Sequence, residues 1–567
     1  MPSRAKLPTA VVAVLALIVW GLLPPRTLRT APPPATTARG AFHIHSVRSD
    51  GSGTVDEIAT AAARAGLQFI ILTDHGDGTR APDPPSYLHG VLVIDGVEIN
   101  TTAGHFAAAG LAQAPYPLAG IPADVIEDVH RLGGFGFAAH PGSPRQSLSW
   151  TDWSAPIDGL EWVNADSEWR DEGRLPIARA LLTYLFRPPQ AMVTLLDRPA
   201  AVLQQWDTLA AARRVLGIAG ADAHARLGFR QRTDPDVSAV HLPLPGYEAS
   251  FRAFSNHVDL DAPLTATDAV ADAATILSAM RRGHMYSVID GLATPGSLIF
   301  TAQSGRQSAS MGDDIAVQGD VLLRAEAAAP PGTTLILLKN GEKVHEVTGS
   351  LLEMNGGRDV AEYRVEVYAP NAPGSSSVPW MVSNPIYAGF DRTAHAGAPA
   401  VSMSRIPART TEAAAEQGPT DGSAVKVVTP SDGIDRTYAG EPGVSWTWSL
   451  GAGPATGQFA AVPIPVSGGL ESFERVQFRV SASAPIRAWV QLRAPSGHTE
   501  RWGATFYADR TPRVVDLPFS RFRSIGVTTV PQPPLAQVQF LLFVVDTLNT
   551  LPGTTGQVTI GDLAFVK

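Results

Sequence analysis

From Ala41 to about Asp290 the sequence alternates short apolar runs with Ala-rich segments of helical period, and this alternation constrains the fold more than any other feature. The runs are AFHIH (41–45), LQFIILT (67–73), VLVIDGVEI (91–99), FGFAAH (135–140), IDGLEWV (157–163) and VLGIAGAD (215–222). Helical segments lie between or after them at 55–65, 123–132 and 266–282, the last leading into HMYSVID (284–290). Short apolar runs separated by helices predict βα units around a parallel sheet or barrel. The stretch 175–212 reads as mostly helical and is long for one connection, so it is expected to be an insertion or a pair of helices near the site.

The runs share a second property. The first ends in His43-Ile44-His45 with Asp50 shortly after, and the second in Thr73-Asp74-His75. The third ends at Glu98, with His105 following; the fourth ends at His140, and the sixth leads into Asp222-Ala223-His224. The carboxyl ends of barrel strands are where loops converge and active sites form. Residues i and i+2 of a strand share a face, so His43/His45 and Asp222/His224 each present two groups together. A single HxH or DxH is weak, but nine His and carboxylate groups at successive strand ends point jointly to a metal centre. The chain has no cysteine, which excludes thiolate zinc sites, CxxC redox chemistry and Cys nucleophiles. An all-His/carboxylate donor set suits Zn, Mn or Fe.

HIHSVRSDGSGTVDEIATAAARAGLQFIILTDH (43–75) resembles the opening signature of the PHP superfamily, named for polymerase and histidinol phosphatase. The resemblance continues through Glu98, His105, the AHP at 139–141 and the DAH at 222–224, about 250 residues in all. It implies a distorted (β/α)7 TIM-like barrel with phosphoesterase activity and two to three divalent transition metals. It also implies the ligand groups. His43, His45, Glu98 and Asp222 would hold one metal. Glu98 would bridge to a second, completed by His105 and His140. Asp50, His75 and His224 would hold the third. Arg145 after AHP and Arg226 after DAH are candidates to bind phosphate oxygens, or are solvated arginines. Asp74 is read as orienting a ligating His or capping a helix. Glu161 and Asn164 are read as pocket lining or a loop cap. The other His residues are expected to be structural or exposed.

The expected fold class is multidomain α/β plus β. Residues 1–40 form a signal or anchor segment and linker, and 41–295 the barrel. Residues 296–393 form a small β-sandwich, 394–423 a linker and 424–567 a jelly-roll-like β-sandwich, both sandwiches being read from alternating, turn-bounded strands. Trp446, Trp448, Trp489 and Trp502 are read as sandwich core or as a sugar-stacking platform. Arg4 and Lys6 precede an uncharged apolar run, 10–23, the pattern of an export signal or uncleaved anchor. The expected location is therefore exported or membrane-anchored and extracytoplasmic, with a membrane tether through this segment.

A net charge of −9, from 44 Lys+Arg against 53 Asp+Glu, argues against a nucleic-acid groove. Three functions follow from these readings. The first is metal-dependent hydrolysis of a phosphorylated small molecule or a glycan or lipid phosphate. The second is a non-phosphate metallohydrolase on the same barrel. The third is a cell-surface protein with a vestigial barrel and glycan contact through the C-terminal domain.

Overall fold

A computed structural model describes residues 20–228, 241–370 and 377–390. In the C-terminal third it describes 441–453, 457–466, 468–494 and 500–567, with short strands between 405 and 438. The chain divides into two compact units. Met1–Asp77, Ala81–Ala112 and Ile121–Ala394 make up the first; Gly78–Arg80, Gln113–Gly120 and His395–Lys567 make up the second.

Seven strands of the first unit close into a barrel. They are β1 (Thr37–Ile44), β2 (Phe69–Leu72), β3 (Val91–Thr101), β4 (Gly104–Ala109), β5 (Phe135–Ala138), β6 (Gly159–Asn164) and β7 (Leu216–Ala223). Pairing is parallel from β1 to β2 and β2 to β3, antiparallel from β3 to β4 and β4 to β5, and parallel from β5 through β6 and β7 back to β1. The ring is therefore not a regular βα repeat. A β3–β4 hairpin replaces one crossover, and β4 runs against its neighbours.

Helix α1 (Val55–Ala65) follows β1 and matches the expected segment. Thr54 and Glu57 cap its start reciprocally, and Gly66, at φ 77°, ends it in a left-handed turn that a side chain would strain. Helix α2 (Pro122–Arg131) follows β4. The long segment after β6 is helical throughout its middle: α3 (Ala165–Arg170), α4 (Arg174–Tyr184), α5 (Pro188–Val193) and α6 (Ala200–Ala210). Below the mouth, Phe42, Phe69, Ile71, Ile94, Phe137 and Ile218 fill the interior. Phe42 and Phe137 meet edge to face at 5.3 Å.

Helix α7 (Tyr247–Ala253) and β8 (Ser255–Asp259) follow, then α8 (Ala269–Arg282) and β9 (Met285–Val288). β8 lies antiparallel to the first half of β1 and to β9. β9 pairs in turn with Met381–Ser383 of the small sandwich, so one hydrogen-bonded sheet runs through both parts of the unit. The sandwich itself packs Phe300, Leu323, Leu337, Tyr363 and Trp380 in its core.

Among the described residues the second unit is a β-sandwich with sheets of seven and six strands. Two short strands, Arg405–Pro407 and Glu416–Gln417, lie inside the stretch read as a linker and pair with Ala564–Val566 and Ala460–Ala461. Trp446 and Trp502 are fully buried and Trp448 and Trp489 nearly so. These four side chains therefore do not form the exposed stacking platform that the sequence left open.

Candidate metal centre

All nine candidate ligands converge on one mouth of the barrel. Their donor atoms fall into four overlapping groups, within each of which they lie inside 4.8 Å of one another. The groups are His45/Asp50/His75/His224, His43/Glu98/His140, His43/His45/Asp222 and His75/Glu98/His105. Glu98 belongs to two of them and is buried at the centre.

The backbone is bent to achieve this. His43, His140 and Asp222 adopt positive φ of 65°, 33° and 42°, a region that non-glycine residues avoid. Such conformations cost on the order of 1–3 kcal/mol each and persist where the surroundings hold them. The β7–β1 register also shifts between Gly220 and Ala223, so Asp222 stands on an irregularity that re-aims its side chain.

Hydrogen bonds then orient the rings. His43 Nδ1 bonds Glu161 Oε1 at 2.6 Å, His140 Nδ1 donates to the Leu148 carbonyl at 3.0 Å, and His224 Nδ1 donates to the Asp222 carbonyl at 2.9 Å. Each bond fixes the tautomer and turns Nε2 toward the cluster. His43 Nε2 lies 3.3 Å from Glu98 and 3.5 Å from Asp222, and His45 Nε2 lies 3.3 Å and 3.4 Å from the same carboxylates. His75 Nδ1 is 3.1 Å from Glu98. These three nitrogens are buried yet make no hydrogen bond. Buried polar atoms are ordinarily paired, so donors gathered about shared carboxylates without bonding them fit a divalent cation.

The electrostatics agree. Burial works against the charge on Glu98 and Asp222, yet the surrounding imidazoles hold both well below the usual carboxylate range. Burial also opposes protonation of His140 and His224, but Glu98 in one case and Asp50 with Asp222 in the other raise them to about 9. His43 is raised as well, its burial outweighed by Glu161, Asp222 and Glu98. His75 is lowered, chiefly by burial. Groups displaced this far, in this density, mark functional sites. The carboxylates demand positive charge, which protons supply here and which metal binding meets by releasing them.

Supporting residues complete the mouth. Glu161, whose pocket role the sequence left open, bonds His43, the His140 backbone N–H (2.7 Å) and Asn164 Nδ2 (2.7 Å). Gly220 leaves room for it: a Cβ there would stand 2.1 Å from Glu161 Oε1. Among the described residues the Asp74 side chain caps no helix and reaches a candidate ligand only through Ser49, whose Oγ lies 3.4 Å from His45 Nδ1. It accepts from Ser46 N–H, Ser46 Oγ and Ser49 Oγ, all at 2.7 Å, and so ties down the loop that carries Asp50. Tyr247 had no sequence signal. Its hydroxyl donates to the His45 carbonyl at 2.8 Å and accepts from the Ser52 and Gly53 N–H groups at 3.1 Å. Arg226 is exposed and donates to the Asp50 carbonyl at 3.1 Å, at the rim. Arg145 is exposed, and among the described residues no hydrogen bond ties its side chain to the nine. Of the remaining His, 89, 130 and 284 pair with Asp56, Asp158 and Asp313, and His257 is buried beside Tyr286. His395 and His498 lie outside the described residues.

No family model matches the chain. A curated protein from Syntrophotalea carbinolica, described as a probable phosphatase, is 39% identical over 70 residues, covering 10% of this chain and 29% of that protein. The match thus spans less than a third of that relative's length. Among solved structures, a two-domain protein from Bacteroides vulgatus containing a predicted PHP-like metal-dependent phosphoesterase is 14% identical. It covers 64% of this chain and 98% of its own, with a TM-score of 0.27. A family 11 carbohydrate-binding module of a Clostridium thermocellum cellulase is 16% identical over 30% of this chain and 96% of its own, with a TM-score of 0.22.

Proposed function

We propose that the barrel mouth is a multinuclear metal centre and that the chain hydrolyses phosphate esters. The observation that carries this reading is the set of buried, unbonded ring nitrogens of His43, His45 and His75 around Glu98 and Asp222. The sequence resemblance over 43–75 and the short match to a probable phosphatase supply the reaction class.

Divalent cations bound there would supply Lewis acidity to a phosphoryl oxygen and to the attacking water. Glu98 and Asp222, held below the usual carboxylate range, would be the buried anionic ligands, with Asp50 a third at the rim. His43, His45, His75, His105, His140 and His224 complete the donor set. The donor groups differ from the family-based assignment in one respect: His105 groups with Glu98 and His75, and His140 with Glu98 and His43. Glu161 holds His43 in the tautomer that a ligand requires. Arg226, at the rim, is the side chain that would meet a non-bridging phosphate oxygen; Arg145 stands beside the AHP turn for the same role. The substrate class is a phosphorylated small molecule, or a glycan or lipid phosphate, acted on by an exported or membrane-anchored protein.

The test is a substrate panel on protein loaded with Zn, Mn or Fe, comprising aryl phosphomonoesters, phosphodiesters and carboxylic esters. Turnover of a phosphate ester is expected. Turnover of carboxylic esters alone would move the assignment to another metallohydrolase.

A further inference from the structure

Helix α4 is inverted relative to a packed helix. It fully buries only Ala180 and Thr183, leaves Ile177 and Tyr184 half-buried and turns its leucines outward. Leu175 is 85% exposed, and Leu181 and Leu182 are exposed beside it. The turn that follows adds Leu185 (78%) and Phe186 (59%). Leu175 and Leu182 lie on one side of the helix with Arg179 between them, and Leu185 and Phe186 extend that side past its end. Contiguous apolar surface of this kind marks an interaction site.

The structure also shows what arrives at this side. Arg179 of α4 donates from Nε to the Leu22 carbonyl at 3.2 Å, and Arg187 donates to the Pro24 carbonyl. Gln190 of α5 donates to Thr27 Oγ1 at 2.7 Å, and Leu28–Arg29 pairs with Ala293–Thr294. The C-terminal end of the uncharged run 10–23 is therefore pinned to the same helices, with Trp20 largely exposed beside it. A bilayer that takes up this run is brought to the α4 face. Trp and Leu beside arginines, whose stems can lie along apolar surface with the charge in water, are interfacial chemistry.

We propose that α4 and the turn after it form a lipid-docking face, lying in the headgroup–acyl boundary next to the apolar segment. Among the described residues no helix is long and apolar enough to cross a membrane, and α4, at 11 residues, is an interfacial element rather than a span. The proposal is independent of the chemistry at the barrel mouth.

The cysteine-free sequence permits a direct test. Leu182→Cys in the full chain is labelled with an environment-sensitive nitrobenzoxadiazole dye and mixed with vesicles of equal parts phosphatidylcholine and phosphatidylglycerol. The expected result is co-sedimentation, a blue shift of the dye, and loss of its emission when the vesicles carry nitroxide lipids. Co-sedimentation with an unshifted dye would overturn the proposal, as would failure to sediment. A blue shift that appears without vesicles and grows with protein concentration would also overturn it, because the face would then be covered by a second copy of the chain.

Discussion

Around Arg364 buried charge closes on itself; in the barrel mouth it does not. The Arg364 side chain is fully buried, lies 4.8 Å over the Trp206 ring, and bonds Asp207 at 2.7 Å and Glu366 at 2.8 Å. Glu366 takes further bonds from Arg198 (2.9 Å) and Tyr368 (2.7 Å), so the guanidinium and the two carboxylates it touches are matched, while neighbouring Glu362 keeps one unbonded oxygen. This network fastens α6 of the helical insert to the sandwich strand Ala361–Tyr368. In the mouth, by contrast, three ring nitrogens are buried without bonds beside two carboxylates held ionised. The mouth also stands on left-handed backbone at His43, His140 and Asp222. The salt-bridged cluster ties two elements together; the mouth gathers buried donors that the proposed cations would complete.

Exchanging the two roles by mutation should fail in both directions. His43→Ala or Asp222→Asn is expected to lower phosphate-ester turnover by about 10³-fold or more, the loss implied by several kcal/mol of metal-derived stabilisation. Circular dichroism should stay close to wild type; full activity in either variant would remove the site. Arg364→Met should do the reverse. It strands Asp207 and Glu366 as buried charges and is expected to cost about 3–5 kcal/mol in chemical denaturation, with turnover per folded molecule unchanged.

Glu161→Gln lies between these extremes, since it touches the mouth only through His43 and the His140 backbone. It should reduce metal affinity or activity about 10- to 100-fold, read by metal titration alongside kinetics. The smallest effect is expected at Glu362. Burial, aided by Asp207 and opposed by Arg364, pushes its carboxyl up to about 7. A carboxyl raised in the folded state stabilises most below its unfolded value, and that stability is lost as pH rises through about 7. Glu362→Gln should therefore flatten the fall in stability between pH 5 and 7, measured by denaturant midpoints, without changing turnover at a fixed pH.

Much of the barrel was legible because strands buried on both faces are written as unbroken apolar runs and α1 carries both its caps in the sequence. The β3–β4 hairpin was not. GHFAAA (104–109) is built of small residues with little strand preference, and only its pairing with β3 and β5 makes it a strand. The nine candidate ligands, which the structure gathers in one mouth, stood out because ligand-type side chains at run ends are rare enough to count. Their supports were less so. Glu161 meets His43 across 118 residues, and Tyr247 meets His45 across 202, through tertiary contacts that no local pattern encodes. The positive φ of His43 and Asp222 has no sequence signal either, because it is held by the site rather than by a glycine. The four tryptophans could be read two ways for a related reason, and the core reading is the one the burial supports: an aromatic on an alternating strand reads alike whether its face is core or solvent.

The central claim is that the mouth is completed by metal. Elemental analysis of the purified full chain, before and after chelation, with aryl phosphate hydrolysis followed in parallel, tests it most directly. Two to three divalent transition ions per chain are predicted, with turnover lost on chelation and restored by adding the metal back, and with His43→Ala deficient in both. A chain that carries no stoichiometric metal, and whose turnover is indifferent to chelation, would contradict the account.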